Sequence, residues 1–428
     1  MTKKLFIGAL VFFIIAAGIA GYVLFLKPSS SGSTGNQNQG TNTSSTNYQP
    51  FPIGQNQSQT NVSNGNATTA RAPNGTTTPA TVAIQTLTQL YTQPIAGAAI
   101  EGGGKVPEFI RLTDRATGHM FDITLSSSTS VETELSDQTI PKMDESLWLN
   151  NGSTTILRYL DSTETTIKTY SATLVTVKKS VADATTTPTN PLTISGIFLP
   201  DNIESIATNP SGKQIFYLTE SASGVTGSIV NANSSKASAI FSSPIIDWNS
   251  QWPSANTIAL STKASSVANG YLYFLSTKGT VTRILGNIPG LVTVVDPSAS
   301  SVAYSDSGPT LSIYTISTGT TVNTGISTIA QKCAWSPDKK GILYCAVPNT
   351  LPTGHFPDSW YQGVVSFSDS IYRIDTNDNQ ATLVNSISQT AKQNIDAINL
   401  EVSPQDDYLT FTNKNDLSLW ALRLSAPM

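Results

Sequence analysis

The densest grouping of chemically versatile side chains lies in the segment PNTLPTGHFPDSWYQGVVSFS, residues 348–368, where His355, Phe356, Pro357, Asp358, Trp360 and Tyr361 fall close together. Aromatic rings on a proline-stiffened loop form either a contact surface, with Trp and Tyr as its anchors, or a small core of their own. These six residues are the candidate binding set. For catalysis the sequence offers carboxylates: a pair flanking a glycosidic bond suffices for hydrolysis, and Asp137, Asp144, Glu145, Asp358, Asp369, Asp406 and Asp407 are available. Nothing in the spacing selects a pair. The two histidines, His119 and His355, are too few for a His-rich metal centre, and no G-x-S-x-G elbow is present. No catalytic residue, metal ligand or cofactor is therefore assigned.

Two near-motifs read as turns. AIEGGGKV, residues 99–106, lacks the leading Gly and the Ser or Thr of a phosphate-binding loop. DTNDN, residues 375–379, begins like a calcium loop, but Gln380 replaces the sharp-turn Gly and Ser386 the bidentate Glu. Cys333 and Cys345 are the only cysteines. They flank the turn SPDKKG so that, in a hairpin, 333 faces 345, 334 faces 344 and 335 faces 343, which allows a disulfide after a small strand adjustment. The alternative is a pair of buried thiols packing as small apolar side chains.

The elements that carry these residues are strands. After residue 83 short β-branched and aromatic runs alternate with Pro, Gly, Asn, Asp and Ser, with no apolar run at helical spacing. Five turns share one register. Asn209-Pro210-Ser211, Trp252-Pro253-Ser254, Asp296-Pro297-Ser298, Ser336-Pro337-Asp338 and Ser403-Pro404-Gln405 each precede an apolar strand that begins five residues after the Pro. The Pro sets φ for the turn, and the polar residue after it is expected to cap. Weaker copies at Lys105 and Asn151 bring the total to seven, with anchors about 40 to 67 residues apart. Third strands are predicted at 119–125, 167–174, 228–231, 271–275, 311–316, 371–374 and 417–422. Segments such as Ile215-Phe216-Tyr217-Leu218, apolar on both faces, suit sheets packed between two neighbours.

This is the pattern of an all-β, seven-bladed β-propeller. The run AIQTLTQL, residues 83–90, precedes the first unit while the last unit stops soon after its third strand. Placed beside 417–422, that run completes blade seven and removes an exposed sheet edge. Over residues 83–428 the sequence resembles the WD40 and TolB-like propeller families, most closely at Ser336-Pro337-Asp338-Lys339-Lys340-Gly341-Ile342-Leu343-Tyr344. The Gly-His and Trp-Asp marks of WD40 repeats are absent, and so is an α/β domain of the TolB kind ahead of the ring. In propellers of this type, loops joining second to third strands share a face with those joining successive blades, and the segment ahead of residue 83 enters a fourth strand from the opposite face, so the 348–368 segment is expected to point away from the membrane that residues 5–26 are read as crossing.

Ahead of the propeller, LFIGALVFFIIAAGIAGYVLFL, residues 5–26, is uncharged and long enough to cross a bilayer as one helix. The apolar run continues past Gly18-Ile19-Ala20, which favours an uncleaved anchor over a signal peptide. Lys3 and Lys4 with the terminal amine outweigh Lys27, placing the amino terminus in the cytoplasm and the rest outside. Residues 1–27 are thus read as cytoplasmic tip and transmembrane helix, 28–82 as a disordered Ser/Gly/Asn/Thr-rich stalk, and 83–428 as the propeller. Asn42, Asn56, Asn61, Asn66 and Asn74 lie in glycosylation triplets of the stalk. Lys3, Lys4, Lys27 and Arg71 are the only charges before Glu101, so the remainder carries 20 basic against 28 acidic residues, and a polybasic nucleic-acid binder is excluded. The expected function is a membrane-tethered, non-catalytic module binding an extracytoplasmic protein or glycan. A polysaccharide hydrolase or lyase using a carboxylate pair is the rival expectation.

Overall fold

A computed structural model describes residues 53–54, 87–103, 106–125, 131–149, 152–176 and 192–424. The expected anchor and glycosylation triplets lie outside the described residues, as does the stalk apart from Ile53–Gly54. Among the described residues no helix is long and apolar enough to cross a membrane. Residues 87–424 form seven four-stranded antiparallel blades. Blade one runs from Ile95–Gly103 to Val131–Ser136, blade two from Met143–Trp148 to Leu192–Phe198, blade three from Ile203–Thr208 to Ser238–Ser243, and blade four from Trp248–Ser254 to Val281–Pro289. Blade five runs from Val292–Val295 to Thr320–Ser327 and blade six from Cys333–Trp335 to Gln380–Asn385, whose backbone also pairs in parallel with Ile53–Gly54. Two short helices interrupt the β pattern: α1 (Asp358–Tyr361) inside blade six and α2 (Ile387–Ala391) between blades six and seven.

Turn chemistry explains the repeat, with one correction. The capping residue is the one before the Pro, not the one after it. Asn209 Oδ1 accepts from the backbone N–H groups of Lys213 and Gln214 at 2.9 and 3.0 Å. Asp296 Oδ1 accepts from those of Ser300 and Ser301, both at 2.6 Å, and Ser403 Oγ from those of Asp407 and Tyr408, both at 3.0 Å. These are side-chain-closed turns in which a short polar group satisfies donors the hairpin leaves over. The capping residue's own N–H then opens the ladder, as in Asn209 N–H to Gln214 O at 3.0 Å and Ser403 N–H to Tyr408 O at 2.9 Å.

Each second strand is wedged between two cores. Ile215 and Tyr217 pack with Leu149, Ile156 and Leu199 toward blade two, whereas Phe216 and Leu218 pack with Trp248, Ile258 and Leu260 toward blade four. In blade six Ile342, Tyr344 and Ala346 join the blade seven core while Leu343 and Cys345 join that of blade five. The inner strands approach so closely that a Cβ on Gly97 of blade one would stand 1.9 Å from the Ser146 carbonyl oxygen of blade two. Within blade six, Cys333 pairs with Cys345, Ala334 with Tyr344 and Trp335 with Leu343, and the two cysteines are joined by a disulfide.

Closure falls where the sequence places it. Leu87–Tyr91 lies antiparallel to Leu419–Arg423 as the outer strand of blade seven, with Leu87 opposite Leu422 and Gln89 opposite Trp420. Leu87 enters the core shared with Leu409, Trp420 and Ile342. Burying such a side chain contributes about 1.5–3 kcal/mol, to which the strand hydrogen bonds add. A chain beginning at residue 81 should therefore melt at least about 5 °C above one beginning at residue 92, which exposes Leu419–Arg423 as an open edge. Equal melting temperatures by circular dichroism would show that the strand contributes nothing.

Candidate functional site

The 348–368 segment joins the second strand of blade six, Ile342–Pro348, to the third, Asp369–Asp375. Its base is closed by the Asn349 N–H donating to Ser368 O at 2.8 Å. A cis peptide between Phe356 and Pro357 leads into α1, whose start is tied down by the His355 N–H donating to Ser359 Oγ at 2.9 Å. Asp358 Oδ2 accepts from the Ser266 N–H at 2.6 Å, fastening the segment to the second-to-third-strand loop of blade four. Burial acts against ionisation there, but the hydrogen bonds from Ser266 and Ser265 hold the Asp358 carboxyl below the usual range.

The six candidate residues divide by direction. Phe356, Pro357 and Trp360 point inward, and Trp360, at 2 % exposure, cannot serve as a surface anchor. His355, Tyr361 and part of Asp358 remain accessible. Trp360 stacks on Phe367 with ring centroids 6.0 Å apart and planes 9° from parallel, and Phe356 tilts against Phe367 at 5.9 Å. The aromatic grouping is thus a small core beneath a lid. Tyr361 lies over it, 5.5 Å from Trp360, and donates its hydroxyl to Gln331 Oε1 at 2.9 Å. Desolvation first, then the charge of Asp358, push its phenol up to about 12.

Under the rings sits a lysine that sequence reasoning passed over. Lys332 is fully buried, with its ammonium 5.2 Å from both the Trp360 and Phe367 rings. It contacts Asp369 Oδ2 at 2.9 Å and Asp396 Oδ1 at 2.5 Å, and donates to Ala397 O at 2.8 Å. Asp396 Oδ2 in turn accepts from Trp360 Nε1 at 2.9 Å, the Phe367 N–H at 3.1 Å and Ser366 Oγ at 3.2 Å. Asp369, its other oxygen without a hydrogen bond, is pushed up to about 6 by burial, against the pull of Lys332. Lys414 donates to Trp360 O at 2.6 Å, and burial lowers its ammonium. The network joins the short 3₁₀ turn Ala330–Lys332, the insertion and blade seven into one support.

The expected carboxylates do not converge as a catalytic group. Asp144 pairs with Arg115 at 2.7 Å, Glu145 with Arg158 at 2.6 Å, Asp369 belongs to the lysine network, and Asp406 is buried against the Ser336 hydroxyl at 2.7 Å. Asp137 is exposed on blade one, and Asp407 lies partly buried in the blade seven turn. His119 meets Glu134 at 2.9 Å within blade one, remote in sequence and blade from His355, and no metal-ligating group of three or more occurs among the described residues.

Two other acids instead line one cavity, formed by the first strands of blades one, six and seven. The cavity, of about 520 Å³, is lined by Glu101 and Glu401 together with Ile100, Leu400, Trp335 and Pro337. Glu401 Oε2 accepts the Ile100 N–H at 3.2 Å, and burial, reinforced by the charge of Glu101, pushes its carboxyl up to about 8. Burial raises Glu101 as well. A signal for Glu401 exists in the repeat: at the equivalent inner-strand place five other blades carry the uncharged Leu147, Ala207, Gln251, Val294 and Ala334, whereas blade seven has a carboxylate.

Seven four-stranded antiparallel blades, closed by a strand from the amino-terminal side, define a seven-bladed β-propeller. No family model and no curated sequence matches the chain. Among solved structures it is similar to TolB from Acinetobacter baumannii, at 10 % identity and a TM-score of 0.39, over 62 % of this chain and 59 % of that one. An oligogalacturonate lyase in complex with manganese is similar at 9 % identity and a TM-score of 0.44, over 78 % and 97 % of the two chains. A mitotic checkpoint complex is similar at 11 % identity and a TM-score of 0.45, over 85 % and 100 %. These are likenesses of fold.

Replacing Lys332 leaves two buried aspartates without a counter-charge, a change that costs about 3–5 kcal/mol. Lys332→Met should lower the urea midpoint accordingly and open residues 348–368 to protease before the rest of the ring. A midpoint within error of the parent would mean that the ion network does not support the insertion.

Proposed function

We propose that the chain is a membrane-tethered, extracytoplasmic recognition module that binds a protein or glycan without catalysing a reaction. The observation that carries this reading is the insertion: a loop held rigid by a buried aromatic and ionic core, presenting His355, Tyr361, Gln362 and Val364 outward, with Val364 72 % exposed. A surface already ordered before contact loses little conformational entropy on binding. Tethering rests on the apolar run 5–26 and the polar stretch 28–82. Residues 5–26 supply the membrane association, and no nucleic-acid partner fits the acidic propeller.

The carboxyl pair at the cavity favours a second reading, a polysaccharide hydrolase or lyase with Glu401 as proton donor and Glu101 as its partner. A raised carboxyl is what a general acid requires. Against it, Glu401 spends one oxygen on the Ile100 N–H, and the rest of the cavity wall is largely apolar.

Capture of surface proteins and glycans by the full-length chain, followed by Tyr361→Ala with Val364→Ser, separates the readings. The double variant should weaken capture at least about tenfold with melting unchanged, since exposed aromatic anchors carry a disproportionate share of interface energy. Full capture by this variant, or polysaccharide cleavage lost in Glu401→Gln, would overturn the recognition reading.

An oxidising, extracytoplasmic setting also implies that the disulfide persists in the native protein. Alkylation of protein taken from its own membrane and denatured without reductant should leave Cys333 and Cys345 unlabelled by mass spectrometry. Complete labelling of both would place the propeller in a reducing compartment.

A further inference from the structure

The seam between blades seven and one differs from the repeat in what it buries. In five other blades the equivalent inner-strand positions carry no charge: they are Leu147, Ala207, Val294, Ala334 and, in blade four, Gln251, whose amide bridges to blade five through Thr293 O at 2.6 Å and the Val295 N–H at 3.1 Å. At the closing seam two carboxyls intervene, Glu401 and Glu108, and a third, Glu101, stands beside them. Glu401 of blade seven reaches across to the backbone N–H of Ile100 in blade one at 3.2 Å. Glu101, next along that blade one strand, turns toward Gly152 of blade two and Arg111, and its charge is felt by Glu401 across the cavity, while Arg111 is itself committed to Asp122 at 2.7 and 2.6 Å. Glu108, on the second strand of blade one and 7 % exposed, faces the Ser403 hydroxyl and Asp407 of blade seven, and neither of its oxygens has a hydrogen bond of good geometry. Beside it Arg423 stands 5.8 Å over the Tyr408 ring. The seam is also where the chain crosses from the closing strand, Leu87–Tyr91, to the first strand of blade one through the Ile95 N–H bond to Leu417 O at 3.0 Å.

We infer that the blade seven to blade one seam is a proton-operated clasp, closed while Glu108 and Glu401 lie in it as neutral carboxyls and loosened when they ionise, with Glu101 beside them adding its charge. A neutral carboxyl can be buried at the cost of an ordinary polar group, whereas a carboxylate without a counter-charge cannot. Two carboxylates facing each other across the cavity add repulsion to that cost.

The direction follows from linkage. Burial raises all three groups, and Glu401 titrates at about 8 when the seam is closed, against an ordinary glutamate value of about 4.3 once it is open to water. Between those two values the closed seam holds a proton that the open one has released. Closure is therefore strongest in acid, weakens as pH rises through this window, and levels off above the closed-state value. The blade one strand that the carboxyls hold, Ile95–Gly103, follows three residues after the closing strand Leu87–Tyr91, so the clasp couples proton concentration to how firmly the ring is tied at that end.

Hydrogen exchange read by mass spectrometry on the full-length chain in detergent micelles, with intrinsic exchange corrected at each pH, tests the clasp. Protection of Leu87–Tyr91 and Ile95–Gly103 should fall at least about tenfold from pH 5 to pH 8 relative to Gln214–Ser221 of blade three. Glu101→Gln with Glu108→Gln and Glu401→Gln keeps the shape of the protonated seam and should abolish that fall. Constant protection across pH, or an equal fall in blade three, overturns the inference from the parent protein alone. A parent-like fall in the folded Gln variant overturns it independently.

Discussion

A ring of sheets has two ends that must meet, and every other property of this molecule is subordinate to that closure. Six of the seven interfaces join sheets built from consecutive stretches of chain; the seventh must be assembled from segments at opposite ends of the described sequence. The chain meets the requirement by withholding one strand from blade seven and supplying it from Leu87–Tyr91, so that backbone hydrogen bonds join the beginning of the ring to its end. Non-local pairing of this kind is entropically demanding during folding, because the loop being closed is the whole propeller. Its reward is that the third strand of blade seven, Leu419–Arg423, is not left as an open outer edge.

Within the ring, polarity is concentrated at two places, and they are organised differently. Beneath the insertion, Lys332 brings a counter-charge to two aspartates, and nearly every remaining polar atom has a donor or acceptor. That arrangement gives geometric definition to a segment with little regular structure, although a buried ion network of this kind is not in itself an efficient source of stability. At the closing seam acids accumulate with little compensation, so the same low dielectric that strengthens the lysine network works against them.

Much of the fold is legible because the repeat is written in turn chemistry. Asn209, Asp296, Ser336 and Ser403 before Pro, each followed by an apolar strand, betray the hairpins, and apolar third strands follow at varying distances. The cap stands two residues ahead of the expected place: Pro draws attention to the residue after it, whereas the side chain that closes the loop stands before it. First and fourth strands are harder to read. Thr320–Ser327 is mostly exposed and carries little apolar patterning, and α1 and α2 are too short for helical periodicity to register. The site was legible as a place rather than as an arrangement. Residues 348–368 stand out in composition, yet nothing local reveals that Trp360 turns inward, because the groups that hold it, Lys332 and Asp396, are 64 residues apart in sequence.

The two-sided packing of the second strands has a consequence for how such a molecule can change over generations. Ile215 and Phe216 are adjacent in sequence but answer to different interfaces, so an alteration at either is felt by a separate neighbour, and a whole blade cannot be exchanged without refitting both flanks. Heritable variation is thereby channelled to the rim, where a lengthened loop disturbs no partner sheet. The long excursion in blade six, with its own miniature interior, is what novelty looks like under that restriction: an addition that brings its own foundations because the wheel beneath cannot be recut.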